Sequence, residues 1–238
     1  MSKVIGTFIG FLGYLIQTFM NKPLIARRFY RIADKFDNSS KLSLTAYGMS
    51  LYNDEKYESA LKQFRKAEKL NKKTYLEIIL AMDMALSYWK LDRIDEAIKV
   101  LEELRKKYDY INEKILTSLG YFYILKGEYD MALECSNKAL EDEPEYAPAL
   151  DNIGQVYFRK NELEKAEGFF QRALEHKNLL DSNYYLGLIY EIRGERDKAG
   201  QYFRRAFDAD DSSSSTVSKD DLAEKYSEYG IESRELKK

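Results

Sequence analysis

Small residues repeat along this chain at a nearly constant interval. Five of them, each glycine or alanine, follow one another at steps of 37, 35, 34 and 33 residues: Gly48, Ala85, Gly120, Gly154 and Gly187. Twelve residues after each stands an alanine, and four residues later a bulky apolar side chain is usual. Because apolar positions within each half of the repeat recur every three or four residues, each half predicts an amphipathic helix. Short polar turns, such as 126–128, separate the halves. Each repeat therefore predicts two antiparallel helices, which must stack on neighbouring pairs to bury their apolar faces.

The pattern resembles the tetratricopeptide repeat. It is clearest in "SLGYFYILKGEYDMALECSNKALEDEP" at 118–144 and in "NIGQVYFRKNELEKAEGFFQRAL" at 152–174. The resemblance covers about residues 41–212 and implies an all-α fold, a right-handed superhelical solenoid of five helix pairs. The predicted pairs are 41–74, 78–111, 113–146, 147–179 and 180–213. The long first step predicts a longer helix or loop near 70–78. Leu104 and Ser136 depart from the residue types usual in the family, so the pattern does not define the packing of the third pair.

Three further segments flank the predicted repeats. Residues 1–22 predict an apolar helix, and residues 23–40 predict a basic amphipathic helix followed by a linker. In that second helix Ile25, Phe29, Ile32 and Phe36 are expected to share an apolar face. Residues 217–238 predict a C-terminal capping helix and tail, with Ser218 as the N-cap residue.

The apolar helix predicts a membrane anchor. Residues 4–20 carry no charge, and as a helix they span roughly 26 Å, slightly less than a bilayer core of about 30 Å. Residues 4–36 are expected to contact membrane lipid. The candidate membrane-contacting residues are Phe8, Phe11, Leu12, Leu15, Ile16, Phe19, Arg27, Arg28 and Arg31. Gly6 and Gly10 form a small-residue face that allows a homodimer. Positive charge after the apolar run predicts a single-pass protein with cytoplasmic repeats.

Two alternatives remain open for the N-terminal segment. It could be an uncleaved signal anchor of an exported repeat protein, since no small-x-small cleavage site follows it. Otherwise the protein is a soluble cytoplasmic adaptor, whose first helix packs in its own groove or in a dimer interface.

The charge distribution and the reactive residues argue against several other functions. The net charge is −2, residues 1–40 carry +4 and the remainder carries −6. That acidic remainder argues against nucleic acid as a partner. The single histidine, His176, and the single cysteine, Cys135, lie on predicted helices, as a C-terminal cap and a buried residue respectively. No phosphate loop or nucleophile elbow occurs, so we expect no enzyme activity, cofactor or metal.

The resemblance implies instead a scaffold that binds protein partners of unknown identity. First helices of such repeats line a concave groove that takes a peptide or helix. The groove candidates here are Met49, Tyr52, Met82, Leu86, Trp89, Tyr121, Ile124, Gln155, Phe158, Tyr184 and Leu188. Any of them could instead pack between repeats.

Overall fold

The computed structural model describes residues 2–36, 40–70, 74–108, 111–209 and 215–231. These residues form thirteen α-helices and no strand, which confirms the all-α prediction. The helices are α1 (Ser2–Met20), α2 (Pro23–Lys35), α3 (Lys41–Tyr52), α4 (Tyr57–Glu68), α5 (Thr74–Lys90), α6 (Ile94–Lys107), α7 (Glu113–Lys126), α8 (Tyr129–Asp142), α9 (Ala147–Arg159), α10 (Leu163–His176), α11 (Leu180–Ile192), α12 (Arg196–Asp208) and α13 (Lys219–Glu228). The chain divides into two compact units, 1–110 and 111–238, which are described separately.

The small residues act as the repeat pattern predicts. A Cβ added to Gly154 would lie 2.7 Å from the ring of Phe170, and one added to Gly187 would lie 2.6 Å from that of Phe203. In the pair α7/α8, where Ser136 stands in place of the usual aromatic residue, the packing differs. There Gly120 faces the Ser136 hydroxyl and the side-chain amide of Asn152, which reaches in from the next pair. The glycines thus let an aromatic ring, or in one pair two polar groups, fill the crossing between helices.

Each turn between paired helices contains one residue in the left-handed region. These residues fall at the same place in every pair and have φ between 58° and 78°: Glu55, Asp92, Gly127, Asn161 and Gly194. Glycine and asparagine adopt this conformation readily, whereas Glu55 adopts it at some cost. One repeated backbone conformation therefore ends the first helix of each pair.

Helix α5 starts early. It runs for 17 residues from Thr74, whereas the predicted second pair starts at 78. This agrees with the expected longer helix or loop near 70–78, of which residues 71–73 lie outside the described residues.

In the first unit α2 docks on the pair α3/α4. The ring of Tyr30 stacks on Tyr47 at 5.3 Å. Arg27 pairs with Asp54, and Asp34 pairs with Lys66. The buried stripe of α2 is Ala26, Tyr30 and Ala33. The expected apolar face is therefore not the docked one, because Ile25, Ile32 and Phe36 are exposed. The two alanines and the Tyr30 ring of the buried stripe let α2 approach the neighbouring helices more closely than the larger apolar side chains of the expected face would.

Helix α1 packs along α2 through its glycines. Gly6, Gly10 and Gly13 are the buried residues of α1, and a Cβ on Gly13 would lie 2.9 Å from the Tyr30 ring. The Tyr30 hydroxyl donates to Gln17 at 2.9 Å. The face assigned to a homodimer through Gly6 and Gly10 is thus occupied by α2 of the same chain.

In the second unit α13 closes the apolar core. Its N-cap is Ser218, whose side chain accepts a hydrogen bond from the Asp221 amide at 3.0 Å, as predicted. Tyr229, at its end, packs against Phe203 with ring centroids 4.9 Å apart. Lys225 binds Glu191 on α11 at 2.8 Å. Cys135 is buried and unbonded to another cysteine, also as predicted.

Candidate partner-binding site

The groove candidates of the first unit form a partly open face. Those on α3 and α5 are half-buried: Met49, Tyr52, Met82, Leu86 and Trp89. Two buried polar atoms of this region, the hydroxyl of Tyr52 itself and one carboxyl oxygen of Asp83, have no hydrogen-bond partner. Burial raises the pKa of Asp83 to about 7. This face therefore offers apolar side chains and a carboxyl group that is costly to ionise.

The groove candidates of the second unit are more deeply placed. Phe158 and Leu188 are half-buried, whereas four others are buried: Tyr121, Ile124, Gln155 and Tyr184. Tyr184 packs on Phe203 with ring centroids 5.6 Å apart. These four residues are therefore not exposed in an open groove as the sequence suggests.

Part of this covering comes from a short segment that precedes α13. We call Ser215–Val217 the strap. The Tyr121 hydroxyl on α7 donates to the Ser215 carbonyl oxygen at 2.8 Å. The Thr216 hydroxyl donates to Gln155 Oε1 on α9 at 2.8 Å. The Thr216 amide donates to Asp181 Oδ2 on α11, also at 2.8 Å. The strap therefore binds the first helix of three successive pairs.

Beneath the strap lies a buried polar network, which we call the polar site: Asp151, Gln155, Asp181 and Ser182. Gln155 Nε2 donates to Asp151 at 2.8 Å and to Asp181 at 3.3 Å. Ser182 donates to the second oxygen of Asp151. Asp151 and Gln155 stand one helical turn apart on α9, so both point the same way. Asp181 lies in the first turn of α11, where the helix dipole favours a carboxylate.

The electrostatics of the polar site make hydrogen-bond donors necessary. Burial raises the pKa of both carboxyl groups, and the charge of Asp181 raises that of Asp151 further. The strap supplies Asp181 with donors from the Ser215 hydroxyl and from the Thr216 amide. Without them the carboxylate would be buried with too few partners, at a cost of about 1–3 kcal/mol per group.

Of the residues of the polar site and those that bind the strap, the sequence analysis identified Tyr121 and Gln155. Asp151 and Asp181 look like solvated helix residues, and Ser215–Val217 falls between the last predicted pair and the capping helix. A usable signal would have been that Asp151 lies one turn before Gln155 on the same helix face. Nothing local indicates that Ser215 and Thr216 return to it.

A second candidate surface lies on α1 and α2. The side of α1 away from its glycines is exposed, with Phe8 at 62%, Phe19 at 77% and Phe11 at 43%. Leu12, Leu15 and Ile16 are half-buried. Arg28 and Arg31 are exposed on α2, whereas Arg27 is partly covered by its contacts with Ser50 and Asp54. Helix α1 is long and apolar enough to cross a membrane, and 17% of its most apolar window is buried.

Residues that could hold a metal do not cluster in the part of the chain that the structure describes. His176, at the end of α10, lies 3.4 Å from a carboxylate oxygen of Glu145.

Family models described as tetratricopeptide repeat match residues 81–109, 112–178 and 180–213. The uncharacterised protein ycf37 of Guillardia theta is 32% identical over 107 residues, which are 45% of this chain and 52% of that protein. The chain thus aligns with about half of that relative's length.

Two solved structures show the same fold. TTC0263, a tetratricopeptide-repeat protein of Thermus thermophilus, matches with a TM-score of 0.62 and 22% identity, over 81% of this chain and all of the other. YrrB, described as a tetratricopeptide-repeat protein with an unusual peptide-binding site, matches with a TM-score of 0.57 and 20% identity, over 78% and 86% of the two chains. None of these three proteins is described as an enzyme.

Proposed function

The chain is a tetratricopeptide-repeat protein, and we propose on that basis that it is a non-catalytic scaffold which attaches to a membrane and recruits a partner protein. Family membership supports the interaction role. The membrane role rests on one observation, the exposed apolar face of α1 beside the basic residues of α2. An apolar surface of this kind is unusual on a free soluble protein.

The packing of α1 on α2 favours attachment in the plane of the membrane over spanning. The two helices contact each other from Gln17 and Tyr30 at one end to Gly6 and Phe36 at the other. If α1 crossed the bilayer in this arrangement, α2 would carry Arg28 and Arg31 into the hydrocarbon. Each such charge costs about 2.5–3.5 kcal/mol at the bilayer centre. Lying in the interface keeps the apolar side chains in lipid and the arginines among anionic headgroups.

The charge of α2 supports a cytoplasmic location for the repeats. Arg28 and Arg31 are exposed on α2, and the leaflet that attracts such basic residues is the anionic cytoplasmic one. We therefore place the repeats in the cytoplasm, on the face of the membrane that attracts α2.

Vesicle flotation tests the membrane role on the full chain. We expect the protein to float with vesicles containing phosphatidylglycerol and to float less with phosphatidylcholine alone. Phe8→Glu/Phe19→Glu should stay at the bottom of the gradient, while Ile192→Glu, which changes an exposed apolar residue (60%) on α11, should float normally. Arg28→Glu/Arg31→Glu should lose the preference for anionic lipid.

Two other outcomes would contradict parts of this proposal. Resistance to carbonate extraction would refute the in-plane arrangement in favour of a spanning α1. Failure of the full chain to float, together with a dimer in solution that Phe8→Glu/Phe19→Glu dissociates, would make the apolar face a protein interface.

We assign the partner role to the inner faces of the repeats, which are the faces lined by the first helix of each pair. In the first unit Met49, Leu86 and Trp89 offer half-buried apolar contacts for a partner segment. A photo-crosslinking residue at Leu86 should capture the same membrane-associated protein repeatedly, whereas one at exposed Lys99 on α6 should not. Equal crosslinking from both positions would refute this assignment.

A further inference from the structure

The strap contacts resemble those of a bound peptide. Each group that binds to the helices belongs to the backbone or is a hydroxyl: the Ser215 carbonyl, the Ser215 hydroxyl, the Thr216 amide and the Thr216 hydroxyl. None of these contacts depends on the covalent link between the strap and α12. A separate segment with the same three residues could make all of them.

We propose that the inner face of α7, α9 and α11 is a peptide-recognition site, that the strap is its resident ligand, and that a partner binds by replacing the strap with its own Ser-Thr-Val-like segment. This deepens, and rests on, the proposal that the inner faces of the repeats bind partners. The strap then serves as a built-in competitor that a partner must displace.

The polar site explains the chemical preference. At the first position the pocket takes a small hydroxyl, which donates to Asp181. At the second it takes a hydroxyl that lies 2.8 Å from Gln155 Oε1 and 3.1 Å from the Tyr185 hydroxyl, and a free amide for Asp181. A proline at the second position would lack this amide.

The third position adds an apolar contact. Val217 is buried in the cluster that contains Leu186, Phe203 and Ile231. A small branched side chain fills this place, whereas a charged one would have to be desolvated. Together the three positions define a short segment in which two hydroxyl residues are followed by an apolar residue.

The site also needs an occupant. Asp151, Gln155 and Asp181 are buried, and removal of the strap would take donors from Asp181 and from Gln155 Oε1. Water or another ligand must then supply those hydrogen bonds. A segment that presents the same donors is therefore a better replacement than solvent.

Peptide binding to a weakened strap tests the proposal. In the full chain, Ser215→Ala/Thr216→Val removes both hydroxyls and leaves α13 and its cap unchanged. The probe is a fluorescein-labelled peptide SSSTVSK, the sequence of 213–219, followed by fluorescence anisotropy. Because the apparent dissociation constant falls as the open fraction rises, the variant should bind the peptide at least about tenfold more tightly than the unmodified chain.

Matched probes and variants distinguish specific recognition from nonspecific binding. SSAVVSK, which lacks the two hydroxyls, should not bind, and neither should the peptide with phosphothreonine at the position of Thr216, since a dianion would meet Asp181. Adding Asp181→Ala to the weakened chain should abolish binding of SSSTVSK. Binding of all three peptides alike would overturn the proposal.

Hydrogen exchange on the unmodified chain gives an independent result. If the strap opens alone, the Thr216 amide should exchange at least about tenfold faster than the core amides of α11, through local opening. Exchange of Thr216 only at the rate of α11, or a folded weakened variant that binds no peptide, would make the strap a fixed part of the fold. Neither result changes flotation or crosslinking at Leu86, so failure of this proposal differs from failure of the proposed function.

Discussion

Two alanine substitutions, at Gly154 and Gly168, isolate the steric effect of the repeated small residue. Both glycines lie inside helices, Gly154 in α9 and Gly168 in α10. An added methyl at Gly154 would lie 2.7 Å from two carbons of the Phe170 ring, whereas one at Gly168 has no heavy atom within 4 Å. The two changes thus share the helix-propensity gain and differ in packing.

The magnitudes follow from that geometry. Carbon atoms in contact prefer about 3.5–4.0 Å, so the Phe170 ring must retreat by roughly 1 Å. It cannot do so freely, because its other neighbour Tyr185 stacks on it at 5.5 Å with the planes 3° apart. Overpacking of this kind costs about 1–3 kcal/mol, and the alanine gain of about 0.5–1 kcal/mol offsets part of it. We expect Gly154→Ala to lower the free energy of unfolding by about 0.5–2 kcal/mol and Gly168→Ala to raise it by about 0.5–1 kcal/mol.

Urea unfolding followed by far-UV circular dichroism measures both variants against the unmodified chain. Changes in the midpoint at constant slope give the stability differences. Equal stability of the two variants would mean that the ring moves aside at no cost, and would refute the view that glycine is needed for this close approach.

Three further predictions test other parts of the fold. Asp83→Asn should stabilise the protein at pH 8 but not at pH 4. The pKa of Asp83 is about 7 in the folded protein, above its unfolded value. The free energy of unfolding of the unmodified chain therefore falls as pH rises between about 4 and 7, by at most about 4 kcal/mol. Equal urea midpoints for Asp83→Asn and the unmodified chain at pH 8 would contradict this. Ser218→Ala removes the hydrogen bond from the Asp221 amide and should destabilise α13 by about 1 kcal/mol, seen as faster amide exchange there; unchanged exchange would show that the cap contributes little. Gly6→Ala places a methyl 2.8 Å from the carbonyl carbon of Phe36, which cannot rotate away, so α1 should separate from α2 and trypsin should cleave α2 faster; an unchanged cleavage rate would refute this.

Much of the fold could be predicted because its determinants are local. The apolar spacing defines the helices, the polar turns separate them, and Ser218 marks the start of α13. The crossing of paired helices is also local in this sense, since Gly154 and Phe170 stand 16 residues apart in a pattern that recurs. At Ser136 the pattern departs from the usual aromatic residue, and the packing there could not be predicted from it.

The N-terminal helices show where such reasoning stops. The glycine face of α1 is visible in the sequence, but its partner is not. A second copy of α1 in a homodimer, a helix of another membrane protein and α2 could all pack against a small-residue face equally well. Only the tertiary structure assigns it to α2, because Ala26, Tyr30 and Ala33 form a surface that fits between α1 and the first helix pair.

The strap lies furthest from what the sequence determines. By itself the sequence determined the helices, their pairing and the repeated close crossing, since those depend on residues a few turns apart. The occupation of the inner face depends on contacts between Tyr121 and Ser215, 94 residues apart, and between Gln155 and Thr216, 61 apart. Such contacts leave no periodic pattern in a single sequence, because each of them needs only one donor and one acceptor group. The tertiary structure alone decided that a buried carboxyl group, that of Asp181, would find donors in the chain's own C-terminal segment.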